Sequence, residues 1–163
     1  MKVIAITGTP GTGKSSLAKQ LLKKLKPKGK LKRLDLHRYY KQISAGYDPK
    51  KQCYEVDLNQ FKALINAKAK LNELIVESHI SHLLPKSKVK LCIVLVCSNL
   101  KLLERRLKKR NYSPEKIREN LDTEIFQVCL QEARERKHNI LVIDSAKIYN
   151  FSELLEKIRA KLA

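Results

Sequence analysis

The sequence is short of acidic side chains. Its 163 residues carry 16 Asp and Glu against 35 Lys and Arg, and the first 47 contain a single acid, Asp35. Two segments, Lys19–Arg33 and Lys101–Arg110, concentrate the basic residues. A surface with this imbalance attracts polyanions, of which RNA is the commonest in a cell. The same composition also describes a soluble, lysine-rich surface without a fixed partner, so charge alone leaves both interpretations open.

Metal-binding cysteine patterns and long apolar runs are also missing. The four cysteines, Cys53, Cys92, Cys97 and Cys129, form no C-x-x-C pair, and no histidine spacing completes a zinc site. Free and mostly buried thiols in a reducing compartment are therefore expected. No signal peptide precedes the first strand, and no apolar run approaches the roughly 20 residues that cross a bilayer. These absences predict a cytoplasmic protein without a membrane partner.

Five short apolar runs alternate with segments of helical periodicity. The runs predicted as strands are Lys2–Thr7, Leu31–Leu36, Leu74–Ser78, Val89–Cys97 and Ile140–Asp144. The segments predicted as helices are Lys14–Leu25, Asp57–Asn72, Asn99–Arg110, Pro114–Lys137 and Ser152–Leu162, with caps at Asp57 and Ser113. Such alternation predicts one domain over residues 1–163, of the α/β class, with a five-stranded parallel sheet between two helical layers.

The strongest motif is GTPGTGKS, which begins at Gly8 and matches the phosphate-binding loop G-x-x-x-x-G-K-[ST]. An apolar strand precedes it and an amphipathic helix follows, as this loop requires. Lys14 is expected to reach the β- and γ-phosphates of ATP, and the hydroxyl of Ser15 to ligate Mg²⁺. Backbone amides and the helix N-terminus complete the cradle. The predicted nucleotide-binding residues are Gly11, Thr12, Gly13, Lys14, Ser15 and Ser16.

Other classes of phosphate-loop protein fit less well. The guanine-specific N-K-x-D motif and a D-x-x-G switch are both absent, which argues against a GTPase. The tripeptide Ser145-Ala146-Lys147 looks like the third guanine-contacting element of GTPases, but it is weak evidence alone. Lys147 therefore remains a candidate contact to the nucleotide.

Two acids at strand ends, Glu77 and Asp144, compete for the magnesium side of the site. In the kinase-type strand order 2-3-1-4-5, the third strand lies beside the first, so Glu77 would abut the cradle. Asp144 would lie at the sheet edge as a structural or base-side loop residue. His79, two residues after Glu77, is a candidate for supporting a water or the acceptor, whereas a structural role is favoured for His82.

The sequence resembles the adenylate kinase isoenzyme six family in its archaeal form. The resemblance rests on GTPGTGK and on four further segments, namely DLHR at Asp35–Arg38, GYD at Gly46–Asp48, VESH at Val76–His79 and RNYSPEKIRENLDTEIFQV at Arg110–Val128. It extends over essentially the whole chain. The resemblance implies a small adenylate kinase-like enzyme with ATPase activity. It further implies a part in small-ribosomal-subunit maturation through a ribosomal protein partner.

The resemblance also implies roles for particular residues. Arg38 matches the arginine that binds the phosphate of the monophosphate substrate, within a monophosphate-binding segment at about residues 31–54. Arg110 matches the arginine of a short lid, about residues 109–119, which neutralises the transferring phosphoryl group. Glu77 departs by one methylene from the family's usual aspartate.

Together these observations predict ATP–Mg²⁺-dependent phosphoryl transfer to AMP or another nucleoside monophosphate. The expected catalytic residues are Lys14, Glu77, His79 and Arg110. A short lid excludes water less completely, which would let transfer leak into ATP hydrolysis. The alternative is an ATP-driven assembly factor whose kinase turnover is incidental. In that case Lys19–Arg33 would dock on rRNA or a ribosomal protein, with Lys101–Arg110 as the second candidate surface.

Overall fold

A central sheet of five parallel strands organises the computed structural model, which describes residues 3–25, 30–49 and 53–163. Strands are numbered along the chain, and the two strands of a separate hairpin come third and fourth. The strands of the sheet are β1 (Val3–Thr7), β2 (Leu31–Asp35), β5 (Glu73–Glu77), β6 (Val89–Val96) and β7 (Ile140–Asp144). Their order is β2-β5-β1-β6-β7, and every neighbouring pair is parallel. The predicted strand order is thus confirmed.

Helices cover both faces of the sheet and form the outer layers. They are α1 (Lys14–Leu25), α2 (Tyr40–Ile43), α3 (Leu58–Ala69), α4 (Leu100–Lys108), α5 (Pro114–Ile125), α6 (Val128–Glu135) and α7 (Phe151–Leu162). Alternate residues of β1 enter two different apolar cores. Val3 and Ala5 pack with residues of α3 and α6, and Ile4 and Ile6 pack with residues of α1 and α7. The three-layer α/β prediction is confirmed.

Side-chain caps mark helix starts where the sequence predicts them. The Asp57 carboxylate accepts hydrogen bonds from the amides of Asn59 and Gln60 at the start of α3. The Ser113 hydroxyl accepts from the Lys116 amide at the start of α5, and Pro114 occupies the first turn. These bonds satisfy amide groups that the first turn of a helix leaves without a partner.

The single helix predicted over Pro114–Lys137 is wrong, since the structure divides this segment into α5 and α6. Gln127 adopts a left-handed conformation (φ 49°) and interrupts the helix. The break lets the two halves serve different neighbours, α5 packing beside α4 and α6 against β6. Helical periodicity continues through Gln127, so local sequence carries no signal of the turn.

An antiparallel hairpin, β3 (Ser44–Asp48) and β4 (Cys53–Val56), lies outside the sheet and was not predicted. It follows a short 3₁₀ helix, Leu36–Tyr39, and α2. The Asp57 amide donates to the Ile43 carbonyl at 2.8 Å and closes the base of the hairpin. The hairpin lies in the predicted monophosphate-binding segment.

Cysteine state and helix hydropathy agree with the sequence analysis. All four cysteines are free, and three of them, Cys92, Cys97 and Cys129, are buried. Within the part of the chain that the structure describes, each helix is too short or too polar to cross a bilayer.

Candidate active site

The phosphate cradle lies between β1 and α1, and at two of its glycines the neighbouring atoms leave little room for a side chain. A Cβ on Gly8 would lie 2.2 Å from the Leu95 carbonyl oxygen, and φ there is +135°. A Cβ on Gly11 would lie 3.0 Å from Leu103 Cδ1 on α4, at φ +89°. Close packing and positive φ both disfavour larger residues at these two positions, so the glycines allow the loop a conformation in which backbone amides can face phosphate oxygens.

Lys14, the lysine of the cradle, is held by the loop itself. Its Nζ donates to the carbonyls of Gly8 at 2.7 Å and Thr9 at 2.9 Å. Burial, reinforced by the nearby Arg110 cation, lowers the pKa of Lys14 to about 8, although the Cys129 thiol and Glu77 act in the opposite direction. An ammonium in this environment gains strongly from an anionic partner, and phosphate oxygens provide one.

Two adjoining cavities open beside the cradle. The smaller, about 90 Å³, is lined by cradle residues together with Ser15, Asp35, His37, Glu77, His79 and Arg110. The larger, about 490 Å³, is lined by Gly11–Gly13, Gln20, Arg106, Lys109, Ser145 and Tyr149, among others. Gly11, Gly13, Ser16 and Arg110 line both. Arg110 therefore stands where the two cavities meet.

The acidic side of the small cavity contains Glu77 and Asp35, which are register partners at the ends of β5 and β2. The Ser15 hydroxyl lines the same cavity. A hydroxyl and carboxylates next to a phosphate cradle fit Mg²⁺, which takes one or two protein oxygens and completes its shell with phosphate and water. Among the described residues, no group of three or more His, Cys, Asp or Glu side chains forms a metal site by itself.

Asp144, the competing acid, lines neither of these cavities. Its carboxylate accepts hydrogen bonds from the amides of Ser98 and Ala146 and ties β7 to the loop after β6. Burial opposes ionisation of this carboxyl, but the hydrogen bonds from Ser98 and Ala146 outweigh it and lower its pKa. The structure thus places Asp144 in a structural role.

His79 stands at the rim of the small cavity, exposed on its open side. Its Nδ1 lies 3.3 Å from Tyr40 Oη, and Tyr40 Oη lies 2.9 Å from Ser78 Oγ. Partial burial and the nearby Lys14 cation lower the pKa of His79 to about 4. The imidazole is therefore neutral at physiological pH, and its ring orientation is set by Tyr40. The hydroxyl of Tyr40 gave no signal in the sequence, because its partners lie 38 and 39 residues away.

His82 is a buried structural residue, as the sequence favoured. Its Nδ1 lies 2.6 Å from Thr7 Oγ1, and its Nε2 lies 2.6 Å from Glu132 Oε2. Burial lowers the pKa of His82, while the hydrogen bond and charge of Glu132 act against this. The residue connects the end of β1, directly before the cradle, with α6.

Arg106 lies in the basic segment Lys101–Arg110 and is a site residue that the sequence analysis did not single out. Its guanidinium donates to the Gly11 carbonyl at 3.3 Å, the Ser145 hydroxyl at 3.2 Å and the Ser145 carbonyl at 3.3 Å. It therefore ties α4 to the cradle and to the loop after β7. Only tertiary structure distinguishes it from its exposed neighbour Arg105.

Two residues that were predicted to contact the nucleotide or the monophosphate, Lys147 and Arg38, line neither of the two cavities. Lys147 is 76% exposed and lies 3.9 Å from Asp144, beside a separate cavity along β7. Arg38 is exposed on the 3₁₀ helix. By contrast Asp35 and His37, the flanking residues of the same DLHR segment, line the small cavity and had not been predicted as site residues.

The fold and the cradle define a P-loop nucleotide-binding protein. A family model described as an AAA domain matches residues 4–127. An adenylate kinase isoenzyme 6 homolog of Schizosaccharomyces pombe is 33% identical over 98% of this chain and 87% of its own length. A relative from Archaeoglobus fulgidus is 36% identical over 97% of this chain and 80% of its own length. The chain belongs to the adenylate kinase isoenzyme 6 family.

A solved structure supports the fold independently. The gluconokinase from Sinorhizobium meliloti 1021 superposes with a TM-score of 0.59, covering 99% of this chain and 91% of its own. At 15% sequence identity, this likeness concerns the fold alone.

Proposed function

We propose that this protein transfers the γ-phosphoryl group of ATP to a nucleoside monophosphate, AMP being the acceptor, in a reaction that requires Mg²⁺. One observation carries the proposal. Lys14, Glu77 and Arg110 converge on a small cavity that joins a larger one on the cradle side to the monophosphate-binding segment on the other. A donor site, an acceptor site and charged groups between them are what in-line phosphoryl transfer needs.

The larger cavity suits the nucleoside of ATP. Its volume of about 490 Å³ accommodates a base and ribose, and the backbone of Gly11–Gly13 forms one wall. Tyr149 and Gln20 offer a ring and an amide to the base. Lys147, from the adjoining loop, remains our candidate for a further contact to the nucleotide.

Catalysis would consist of positioning and electrostatic stabilisation. Lys14 and Arg110 would bind the phosphates, because both cations line the small cavity beside the cradle. Ser15 and Glu77 would hold Mg²⁺, which when bound neutralises charge on the β- and γ-phosphates. The neutral His79 would orient the acceptor or a water molecule through the ring nitrogen that Tyr40 leaves free.

The acceptor would lie against residues 31–54. The S. pombe relative is named an adenylate kinase isoenzyme 6 homolog, and this name supports AMP as the monophosphate. Arg38 is the proposed ligand of its phosphate, since a planar guanidinium binds two phosphate oxygens at once. Because Arg38 is exposed and outside the cavity, this role requires the segment to close over the acceptor.

ATP hydrolysis would accompany transfer. The connection between α4 and α5 consists of residues 109–113, so the lid that covers the phosphates is small. A small lid leaves water access to the transferring group when the acceptor is absent.

A single assay tests the proposed function. Phosphate release and ADP formation from ATP and Mg²⁺ are followed with and without each nucleoside monophosphate. The proposal expects two ADP for each AMP consumed, and phosphate release in the absence of any monophosphate. ADP formation that no monophosphate stimulates would refute the kinase assignment and leave an ATPase.

A second function, ATP-driven assembly of the small ribosomal subunit, is favoured by a specific surface. Five lysines are exposed on and after α1, namely Lys19, Lys23, Lys24, Lys30 and Lys32. Lys26 and Lys28, which belong to the predicted docking segment, lie outside the described residues. Arg33 was counted in that segment from the sequence. Its side chain points inward to Glu77, so Arg33 is not part of the docking surface. The family resemblance supports rRNA or a ribosomal protein as the partner.

Salt dependence tests this docking. The measurement is co-sedimentation with small ribosomal subunits, for which six phosphate contacts predict a loss of about 10³-fold in affinity between 50 and 200 mM salt. Changing Lys23, Lys24, Lys30 and Lys32 together to Gln should abolish co-sedimentation with the subunits. The matched control changes Lys70, Lys86, Lys157 and Lys161, which are exposed elsewhere and remove the same charge. Equal sedimentation of both variants would place the docking surface elsewhere, with Lys101–Arg110 next.

A further inference from the structure

Arg33 pairs with two carboxylates of the active site, Glu77 and Asp35. It lies on the edge strand β2, where the parallel register sets Arg33 beside Ile75 and Asp35 beside Glu77. Alternate residues of a strand share a face, so Arg33 and Asp35 both lie on the side of Glu77. The Arg33 guanidinium contacts the Glu77 carboxylate, and it lies 3.5 Å from that of Asp35.

This ion pair is well shielded from water. The side chain of Glu77 is 3% exposed and that of Arg33 is 18% exposed. Removing one partner of such a pair leaves a buried charge without compensation, so each partner strongly constrains the other. Both carboxylates line the cavity that contains Lys14 and Ser15. Arg33 therefore acts on the groups that face the phosphates and the metal.

We propose that Arg33 is a positioning residue that competes with Mg²⁺ for Glu77 and so sets how strongly ATP binding depends on the metal. The inference rests on the proposed ATP–Mg²⁺ site. Without metal, Arg33 supplies the positive charge that Glu77 needs. With metal, Glu77 faces the coordination shell of Mg²⁺. The Arg33 guanidinium then keeps the Asp35 carboxylate as its partner.

The predicted consequence is a change in metal dependence. Loss of Arg33 removes the competitor for Glu77 and strengthens the contribution of Mg²⁺, while it leaves the Glu77 charge uncompensated beside the phosphates of metal-free ATP. Both effects raise the ratio of the Kd measured in EDTA to the Kd measured in Mg²⁺. A charge-assisted contact of this kind corresponds to about tenfold in that ratio.

The experiment measures binding by calorimetry, using the full chain and a non-hydrolysable imido analogue of ATP, in EDTA and in saturating Mg²⁺. Arg33→Met retains the length of the side chain and removes its charge. Arg33→Lys retains the charge without the planar fork and should restore the ratio in part. Arg159→Met is the matched control, because it removes the same charge and an exposed ion pair with Glu156 on α7.

A folded Arg33→Met protein with the ratio of the wild type would overturn the proposal, as would an equal change in Arg159→Met. If Arg33→Met does not fold, Arg33→Lys decides, because it keeps the charge and lacks the planar fork. A ratio above that of the wild type supports the proposal, and the wild-type ratio overturns it. Wild-type protein that binds the analogue under neither condition would refute the proposed nucleotide site itself.

Discussion

The donor side and the acceptor side of the active site are built in different ways. The donor side, Gly8–Ser16, is one continuous segment, the loop after β1 and the first residues of α1, packed closely against the Leu95 backbone of β6 and side chains of α4. The proposed acceptor side, in the segment at about residues 31–54, follows the end of β2 with a 3₁₀ helix, a single helical turn and the β3–β4 hairpin. Its aromatic rings, including Tyr40, Tyr47 and Tyr54, contact one another at centroid distances of 5.0–6.2 Å.

This difference indicates on which side of the site a substitution can affect one reaction without affecting the other. A loop fixed by backbone geometry tolerates few substitutions, and any loss there affects every reaction of the bound ATP. Side-chain contacts on the acceptor side can be altered one at a time. Variants on the donor side should therefore abolish transfer and hydrolysis together, whereas variants on the acceptor side should separate them.

The largest effect is expected for Lys14→Ala. Transfer and hydrolysis should both fall by about a hundredfold or more, equivalent to about 2.7 kcal/mol, since the same cation binds the phosphates in both reactions. Steady-state ADP and phosphate release measure this. Lys24→Ala, on the exposed face of α1, is the control. Retention of more than about a tenth of either rate would contradict the assignment of the cradle.

A smaller and selective effect is expected for Arg38→Ala. The KM for AMP should rise about tenfold, because a charge-assisted bidentate contact to the phosphate is lost. Hydrolysis without AMP should be unchanged. Initial rates over a series of AMP concentrations measure the difference, with Lys41→Ala, an exposed cation on the neighbouring α2, as the control. An equal loss of both activities would mean that Arg38 serves the ATP site or the fold.

Tyr40→Phe should lower the turnover number about fivefold and leave ATP affinity unchanged. The hydroxyl fixes the His79 ring through Nδ1, and without it the opposite nitrogen is no longer held toward the cavity. Single-turnover rates and equilibrium binding separate the two quantities. Tyr54→Phe retains the ring contact with Tyr40 and should behave as wild type. A change in ATP affinity alone would remove His79 from the proposed mechanism.

The last prediction concerns stability rather than activity, at a buried histidine between β1 and α6. His82→Asn should lower the free energy of unfolding by about 1–3 kcal/mol, because the buried Thr7 hydroxyl and the half-exposed Glu132 carboxylate lose a partner. It should also weaken the acid dependence of stability. Burial lowers the folded pKa of His82 below 6.5, so the unfolded chain binds a proton first and stability falls as pH drops through 6.5.

Urea unfolding between pH 7.5 and pH 5 tests the His82 prediction. The wild-type curve should decline more steeply on the acid side than that of the variant. Part of the slope should remain, because burial also lowers the pKa of His37 and of His79. Identical slopes in the two proteins would show that His82 carries no part of the acid dependence.

Features encoded by neighbouring residues were predictable. The glycine spacing, the cap at Asp57 and the continuous apolar strands led to the cradle, a helix start and the parallel sheet, because each depends on backbone conformation within a few residues. The position of Glu77 beside the cradle followed from strand order alone. Its role as a magnesium ligand remains a prediction.

Tertiary structure alone decided which basic residues serve the surface and which serve the site. Arg33 and Arg106 sit in lysine-rich segments, yet their partners lie far away in sequence, 44 residues for Glu77 and 95 for Gly11. Tyr40 likewise meets Ser78 and His79 only in the fold. The left-handed conformation of Gln127 is likewise visible only in the tertiary structure. Composition and periodicity report local preference, whereas the partner of a charge or hydroxyl depends on which strands become neighbours.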